Sequence, residues 1–412
     1  VGFDLKLGYR SFFQPELFPN ESGKILVSGC GIAGLTLAVL LRQRGFDVVV
    51  VEREAALPTE GYMMDFFGTG WDVAARMGLA DALRAIRYPI DTLEFVDADG
   101  RTRIHVPIER MRRALGNRYV YLRRTDLARI LCDRAKPAGV EIRFDTSIES
   151  LEERSDEVAV TFADGRSETF ALVFGADGIH SRVREIVFGP ERPFDRYLGY
   201  YVAAFHIPDH DYAIGRSVKI YEEPNRMLMI YPVSDRQLDA TLVFRHANVG
   251  YVPANQRLPF IRRGFAGAGW LADRLLADHP AAESLYFDPT MQIVMPDWHK
   301  GRGALVGDAC GSLTLLAGQG SHMAMAGAYV LARQLDRHGE DHPAAFAAYQ
   351  DFMKPRIARK QSDAAWLARL FVPTERSRPW LRRLVIGLIL SPPVAPLTMA
   401  YSGATSILKG RF

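Results

Sequence analysis

The chain has 412 residues, with 51 Lys+Arg against 48 Asp+Glu and a formal net charge of +3. Apolar residues at 48% and charged residues at 24% are the composition of a packed globular protein, which excludes collagen-like and disordered chains. The near-neutral balance gives no overall drive toward nucleic acid; three scattered cysteines, Cys30, Cys132 and Cys310, exclude a disulfide framework and a thiolate metal site and fit a reducing cytosol.

Residues 1–23 mix charges, aromatics and prolines without the apolar run of ~7–15 residues that a secretory signal needs, and they are set aside as an extension or an added leader. Lys24 to Ser28 is a short apolar run ended by glycine, the profile of a buried parallel strand. Leu35 to Arg42 reads as a helix stopped at Gly45, with Arg42 and Arg44 near its negative end. Val48 to Val51 is a second buried strand, ending in Glu52 and completing a βαβ unit. Gly61 to Gly70 reads as a loop, and Trp71 to Arg87 as a helix interrupted at Gly78. Thr92 to Val106 alternates apolar and polar residues around Asp97–Gly100, an antiparallel hairpin. Arg124 to Lys136 predicts a helix stopped by Pro137 and Gly139. Further strands run through Phe162 and the Asp164-Gly165 turn, then Ala171 to Ala176 ends in Asp177-Gly178.

From Leu198 to His246 the pattern is antiparallel, with Tyr201, Ala203, Phe205 and Ile207 on one face, and predicts a separate sheet. Ile261 to Ala277 and Pro343 to Trp366 read as helices, with Gly303 to Asp308 as a buried strand between them. In the tail, Arg376, Arg378, Arg382 and Arg383 precede the apolar run Leu384 to Leu390, and Pro392, Pro393 and Pro396 break the segment beyond it. A spanning helix needs ~20 unbroken apolar residues, so no transmembrane segment is expected. The basic and apolar segment is read instead as a C-terminal helix packed on the fold, with a membrane-surface segment as the alternative.

The spacing Gly29-x-Gly31-x-x-Gly34 sits between a predicted strand and a predicted helix. Gly29 allows the tight turn, Gly31 admits a pyrophosphate to the backbone, and Gly34 lets helix and strand pack closely. The helix start, at Ile32 and Ala33, offers free N–H groups and a positive dipole end to phosphates. Glu52, at the end of the next strand, is placed to accept ribose hydroxyls. Together these predict a bound dinucleotide.

Two later segments carry more. They are Gly175-Ala176-Asp177-Gly178-Ile179-His180-Ser181-Arg182-Val183-Arg184, and Gly307-Asp308-Ala309-Cys310 continuing to Gly318-Gln319-Gly320. With the glycine fingerprint, in this order over 24–335, they resemble the signatures of class A FAD-dependent monooxygenases of the aromatic hydroxylase type. The resemblance implies that FAD is the dinucleotide. It implies cofactor roles for Asp177, for Asp308 at the ribityl or ribose hydroxyls, and for Gly318, Gln319, Gly320 and Ser321, which open a helix aimed at the isoalloxazine. It also implies Arg53 at the adenosine half, Arg124 at the flavin side, and the Ile148 backbone at the adenine.

Within class A the chain resembles the tetracycline-destructase branch over about 24–365. The residues that carry this are Asp65 to Gly68 with Ala74–Gly78, Gly269-Trp270, Tyr286-Phe287-Asp288, Trp298-His299-Lys300-Gly301-Arg302 and Gly327 to Ala332. There are departures: Gly311 stands where many class A members have histidine, Leu315 where they have proline, and Phe67 replaces a basic or polar residue of the branch.

The implied fold is α/β: an FAD-binding Rossmann-like (GR2-type) fold with an inserted, mostly antiparallel substrate sheet and a C-terminal helix. The expected division is an FAD-binding domain at 24–95, 118–197 and 290–355, a substrate domain at 96–117 and 198–289, and a helical segment at 356–412. One dinucleotide fingerprint without a second nucleotide fold implies NADPH or NADH as a transient co-substrate. The resemblance then implies hydroxylation of an aromatic or polycyclic molecule, antibiotic or polyketide-like ones included, by O2 through a flavin C4a-hydroperoxide. No mandatory protein acid or base is expected; His180, His206 and His322 are candidate helpers. The expected substrate-lining residues are Met63, Asp65, Phe67, Tyr201, Phe205, Leu315, Leu316 and Ala317. The expected partners are the small molecule and O2, with no nucleic acid, in a cytoplasmic monomer or homodimer. The competing readings are a reductase or dehydrogenase of the same fold without oxygen insertion, motivated by Phe67 and the apolar tail, and a non-catalytic flavoprotein. Flavin halogenation is set aside because no Trp-x-Trp-x-Ile-Pro segment occurs.

Overall fold

The computed structural model describes residues 23–58, 61–208, 212–234, 236–277, 285–314, 318–374, 388 and 406–408. Strand β1 (Ile25–Ser28), helix α1 (Ile32–Arg42) and strand β2 (Val48–Val51) open the fold, and every residue of both strands is buried. Continuous rather than alternating apolar residues are what a strand covered on both faces needs. Strand β3 (Met63–Phe67) and helix α2 (Gly68–Arg76) come next, then α3 (Ala80–Ala85), the hairpin β4 (Thr92–Val96) and β5 (Thr102–Pro107), α4 (Ile108–Ala114), β6 (Tyr119–Arg123), α5 (Arg124–Ala135) and β7 (Glu141–Arg143). The meander β8 (Ile148–Glu153), β9 (Val158–Phe162) and β10 (Ser167–Phe170) leads to β11 (Leu172–Gly175) and α6 (Arg182–Phe188).

Four long strands succeed these, β12 (Asp195–Pro208), β13 (Ser217–Glu223), β14 (Arg226–Ser234) and β15 (Gln237–Arg245), then α7 (Ala254–Phe265) and α8 (Ala272–Ala277). The chain returns through β16 (Tyr286–Ile293), β17 (His299–Lys300) and β18 (Gly303–Leu305) to α9 (Asp308–Gly311), α10 (Gly320–His338) and α11 (His342–Phe371).

The first sheet has the order β17-β18-β11-β1-β2-β7, parallel from β18 to β7 with β17 antiparallel at its edge. Helix α1 packs against both α5 and α10 beside it. The second sheet has the order β16-β12-β15-β14-β13-β4-β5, antiparallel except for the β13/β4 pair. This is the mixed α/β architecture the motifs imply. Among the described residues no helix is long and apolar enough to cross a membrane. The three cysteines are free and buried.

Both faces of the second sheet are covered. Tyr201, Ala203, Phe205 and Ile207 pack with Ile261, Phe265 and Leu275 of α7 and α8. Tyr200 and Val202 face the other way and pack with Met63, Tyr119 and Tyr121 of the two-stranded β3/β6 ribbon.

Three expectations are corrected. Residues 61–70 are not a loop: they hold β3 and the start of α2. Their glycines serve close packing, since a Cβ at Gly70 would lie 2.7 Å from the His322 ring. The helix expected over 261–277 is two helices, α7 beginning at Ala254 and α8 at Ala272, separated where Gly267 and Trp270 take positive φ. The domain divisions at 95/96, 197/198 and 289/290 fall inside β4, β12 and β16, all strands of the second sheet, so its hydrogen-bonded edges lie at 92 and 195 and extend to 293. The leader at 1–22 and the arginine-rich tail with its apolar run lie outside the described residues, apart from Leu388.

Candidate functional site

Two cavities meet along the ends of β1, β2 and β11. One, of about 270 Å³, is lined by Gly29, Gly31, Glu52, Arg53, Ile148, Asp177 and Arg182 among others. The second, of about 140 Å³, is lined by Gly31, Met64, Val202, Asp308, Gly318, Gly320 and Ser321 among others. Gly31, Ile32, Arg124, Ala176 and Gly178 line both, so the two form one elongated groove with Arg124 at its middle.

The glycine loop has the shape a pyrophosphate requires. A Cβ at Gly34 would lie 2.0 Å from the Gly29 carbonyl oxygen, and one at Gly29 would lie 2.5 Å from the Ala176 oxygen. At Gly31 a Cβ would meet nothing within 4 Å, because that position faces the open groove. The loop is therefore tight where helix and strand meet and open where a ligand approaches, which fits the group the fingerprint predicts. Glu52 accepts hydrogen bonds from the backbone N–H groups of Cys30 (2.9 Å) and Glu54 (3.1 Å), which fixes its carboxylate beside the loop. Ile148, buried at the start of β8, closes the same end. Arg53 lines this end too, but its side chain is mostly exposed and pairs with Glu54 at 3.2 Å.

Asp177 lines the groove while its carboxylate serves the local turn. It accepts from Ser181 Oγ (2.5 Å) and from the Val183 N–H (3.1 Å), at the start of α6. Arg184 is fully buried behind it, donating to the carbonyls of Ile179 (2.6 Å) and Ala309 (2.9 Å) and pairing with Glu191. This arginine ties the Asp177 turn to the Asp308 turn. Burial raises the Asp308 carboxyl above its ordinary value, against the opposing pull of Arg124. Arg124 is exposed at the groove; the desolvation that would lower its guanidinium there is outweighed by Tyr62, Asp308 and Tyr286, which hold it above its ordinary value. Gln319 is the N-cap of α10, and Gly320 and Ser321 start that helix at the groove.

The FAD binding domain family matches residues 23–360 of the chain. The chain belongs to this family. A flavin-dependent monooxygenase from an unidentified prokaryote is 35% identical over 356 residues, covering 85% of this chain and 91% of the relative. Another, from Legionella longbeachae serogroup 1, is 32% identical, covering 86% of this chain and 90% of that one. The tetracycline destructase Tet(55) has a solved structure with a TM-score of 0.80 and 31% identity, covering 95% of this chain and all of that chain. The chain is thus an FAD-dependent monooxygenase, and FAD is its cofactor.

The substrate side of this monooxygenase differs from expectation in one respect. Tyr201 and Phe205 are buried on the far face of the second sheet, under α7 and α8, and cannot line a pocket toward the flavin. Strand β12 presents Val202 to the groove instead, with Tyr200 on the same face. Met63, Asp65 and Phe67 do face the sheet, from the ribbon. Leu315, Leu316 and Ala317 lie outside the described residues. Of the candidate helpers, His180 pairs with Glu191 (3.0 Å) at the groove's rim, and His206 pairs with Asp239 within the second sheet. His322 is buried and accepts the Phe67 N–H on Nε2 (3.2 Å).

Three features are not foreseen from the sequence. The rings of Tyr62 and Tyr286 meet at a tilt of 57°, 5.9 Å apart, at the groove wall, and Tyr286 Oη donates to Asp288 (3.4 Å). Tyr231 Oη accepts the Met63 N–H (3.0 Å), joining ribbon and sheet. Tyr119 donates to Asp65 within the ribbon. The alternation of β6 marks Tyr119 and Tyr121 as one face, but nothing local says that this face meets Asp65.

Proposed function

We propose that the enzyme hydroxylates an aromatic or polycyclic small molecule, with NADH or NADPH as a transient reductant. The observation that carries this reading is the groove itself. It runs from the glycine loop past Arg124 and Asp308 and ends against Val202 of the second sheet, so one bound dinucleotide would reach from the nucleotide fold to the layer where a substrate fits. Among the described residues the parallel sheet carries a single glycine fingerprint, which leaves a nicotinamide cofactor to visit rather than reside.

Bound FAD supplies the electron transfer and the oxygen transfer. The chain supplies position and field. The Gly31 backbone and the start of α1 would hold the pyrophosphate. Glu52 and Asp308 would accept hydrogen bonds from hydroxyls of the ribose and the ribityl chain, and Arg124 would balance the cofactor's negative charge. Helix α10, 19 residues long, aims its N-terminus at the groove, and its dipole favours negative charge there. The second sheet and the β3/β6 ribbon exclude water from the reacting end.

The test is NADH and NADPH oxidation with oxygen monitoring across polycyclic aromatics, including a tetracycline because of the likeness to Tet(55). The expected result is ligand-stimulated O2 uptake and a product heavier by one oxygen atom. Anaerobic turnover to a hydrogenated or dehydrogenated product would show a reductase or dehydrogenase instead.

A further inference from the structure

One aromatic pair joins the two walls of the groove. On the first wall Tyr62 lies between β2 and β3, beside the start of α5. Its carbonyl accepts the Arg124 N–H (3.2 Å), and a Cβ on the preceding Gly61 would lie 2.8 Å from the Thr125 side chain, so this backbone is held tightly against α5. On the second wall Tyr286 opens β16, an edge strand of the second sheet. It pairs with Ala204 of β12, and Asp288 pairs with Val202, the residue that β12 presents to the groove. Residues opposite each other share a face, as do residues two apart on one strand, so Tyr286 and Asp288 point into the groove with Val202. The rings of Tyr62 and Tyr286 meet there, 5.9 Å apart.

The contact stands at a particular point of the groove. Arg124 lines both cavities, and Tyr62 and Tyr286 are both among the groups that act on its guanidinium. The ring pair is therefore beside the place where the cavities meet. A molecule that spans both cavities, as FAD would, has one end on each side of that place.

We propose that Tyr62 and Tyr286 form a clasp across the middle of the groove, and that its opening governs how fast FAD enters and leaves the enzyme. Tyr286 is the side that moves. It is 40% exposed, it stands at the first residue of an edge strand, and its Oη donates within its own strand, to Asp288. Tyr62 is half-buried on backbone fixed to α5. Swinging the Tyr286 ring aside breaks one aromatic contact and parts the walls. Because the rings hold wall to wall rather than wall to ligand, the clasp slows entry and exit alike and leaves affinity nearly unchanged. The proposal goes beyond the hydroxylase reading and does not depend on which molecule the enzyme oxidises.

The experiment mixes the apoenzyme rapidly with FAD and follows flavin fluorescence, which gives the association rate. Dissociation is read by adding excess apo-glucose oxidase to the FAD-loaded enzyme, since released FAD then activates this trap. Tyr286→Ala and Tyr62→Ala should each raise both rates about fivefold, in the same proportion, with Kd within about twofold of wild type. The double variant should be no faster than either single one, because one contact is lost only once. Tyr286→Phe keeps the ring and should match wild type within about twofold. Tyr286→Leu keeps apolar bulk without the ring, and it should show the faster rates even where Tyr286→Ala folds poorly. Faster dissociation with unchanged association would overturn the proposal, because the rings would then be contacts of FAD itself. So would unchanged rates in Tyr286→Ala and Tyr286→Leu, or a double variant whose effect is the product of the single ones.

Discussion

His322 shows how one side chain can serve position rather than chemistry. Its Nε2 accepts a backbone N–H, which is always a donor, so the ring's own proton sits on Nδ1 and the imidazole is neutral. Burial, with Lys360 adding repulsion, pushes its pKa down to about 3. The ring stacks on Phe66 at 5.2 Å and closes the free edge of β3 at the first turn of α10. It thereby fixes the ribbon to the helix whose first turn lines the groove. This makes stability depend on pH. Above the ordinary histidine pKa of about 6.5, neither the folded nor the unfolded chain protonates this ring. As pH falls from there toward 3, the unfolded chain takes up a proton that the folded one refuses, so stability drops. At pH 5 the loss is about 2 kcal/mol. His322→Gln keeps a neutral acceptor without a titrating group. In urea unfolding at pH 7 and pH 5, the variant should lose about 2 kcal/mol less than wild type between the two. Equal losses would show that the folded protein protonates this ring.

At the scale of elements, the β1–α1 junction separates packing from ligand binding within six residues. Gly34→Ala puts a methyl group on the Gly29 carbonyl, so it should destabilise the apoprotein by about 3 kcal/mol. Gly31 has φ −87° and open space beyond it, so Gly31→Ala should leave the apoprotein within about 0.5 kcal/mol of wild type. That methyl group occupies the pyrophosphate's approach, and FAD affinity should fall at least about tenfold, read by flavin fluorescence titration. Full FAD affinity in Gly31→Ala would move the phosphates elsewhere. This contrast also explains what the sequence could show. Glycine spacing encodes backbone approach, so the fingerprint, Glu52 and the Asp308 turn are readable one residue at a time. Strand β12 is not, because Tyr200, Tyr201, Val202, Ala203 and Ala204 are apolar on both faces. Alternation there separates two faces without saying which one meets the flavin. Only the placement of α7 and α8 decides, and that is tertiary. Likewise the glycines of 61–70 suggest a loop because close packing and turning use the same residue.

Across the whole molecule, α11 couples the two sheets to the groove through one buried amide. Gln361 Nε2 donates to the carbonyls of Ile293 (2.8 Å), at the end of β16, and Ser312 (2.9 Å), which lines the groove after α9. Gln292, itself buried, donates back to the Gln361 carbonyl (2.8 Å) and to that of Leu313 (3.2 Å). Strand β16 belongs to the second sheet, whereas the α9 segment continues the first, so these four bonds tie the two together, Gln292 to Leu313 directly and the other three through α11. Gln361→Leu keeps the approximate volume and removes two of the donors. A buried carbonyl left without its donor costs about 1–3 kcal/mol, so the variant should be less stable by about 2–4 kcal/mol. Because Ser312 and Leu313 line the flavin end of the groove, the same change should also weaken FAD binding. A general loss of stability lowers the unfolding midpoint of the apoprotein and the FAD-loaded enzyme by the same free energy. Loosening of the groove lowers that of the loaded enzyme by more, since the FAD contribution shrinks as well. Denaturant titrations of both forms, wild type beside Gln361→Leu, distinguish the two, and equal shifts would confine Gln361 to holding the sheets together.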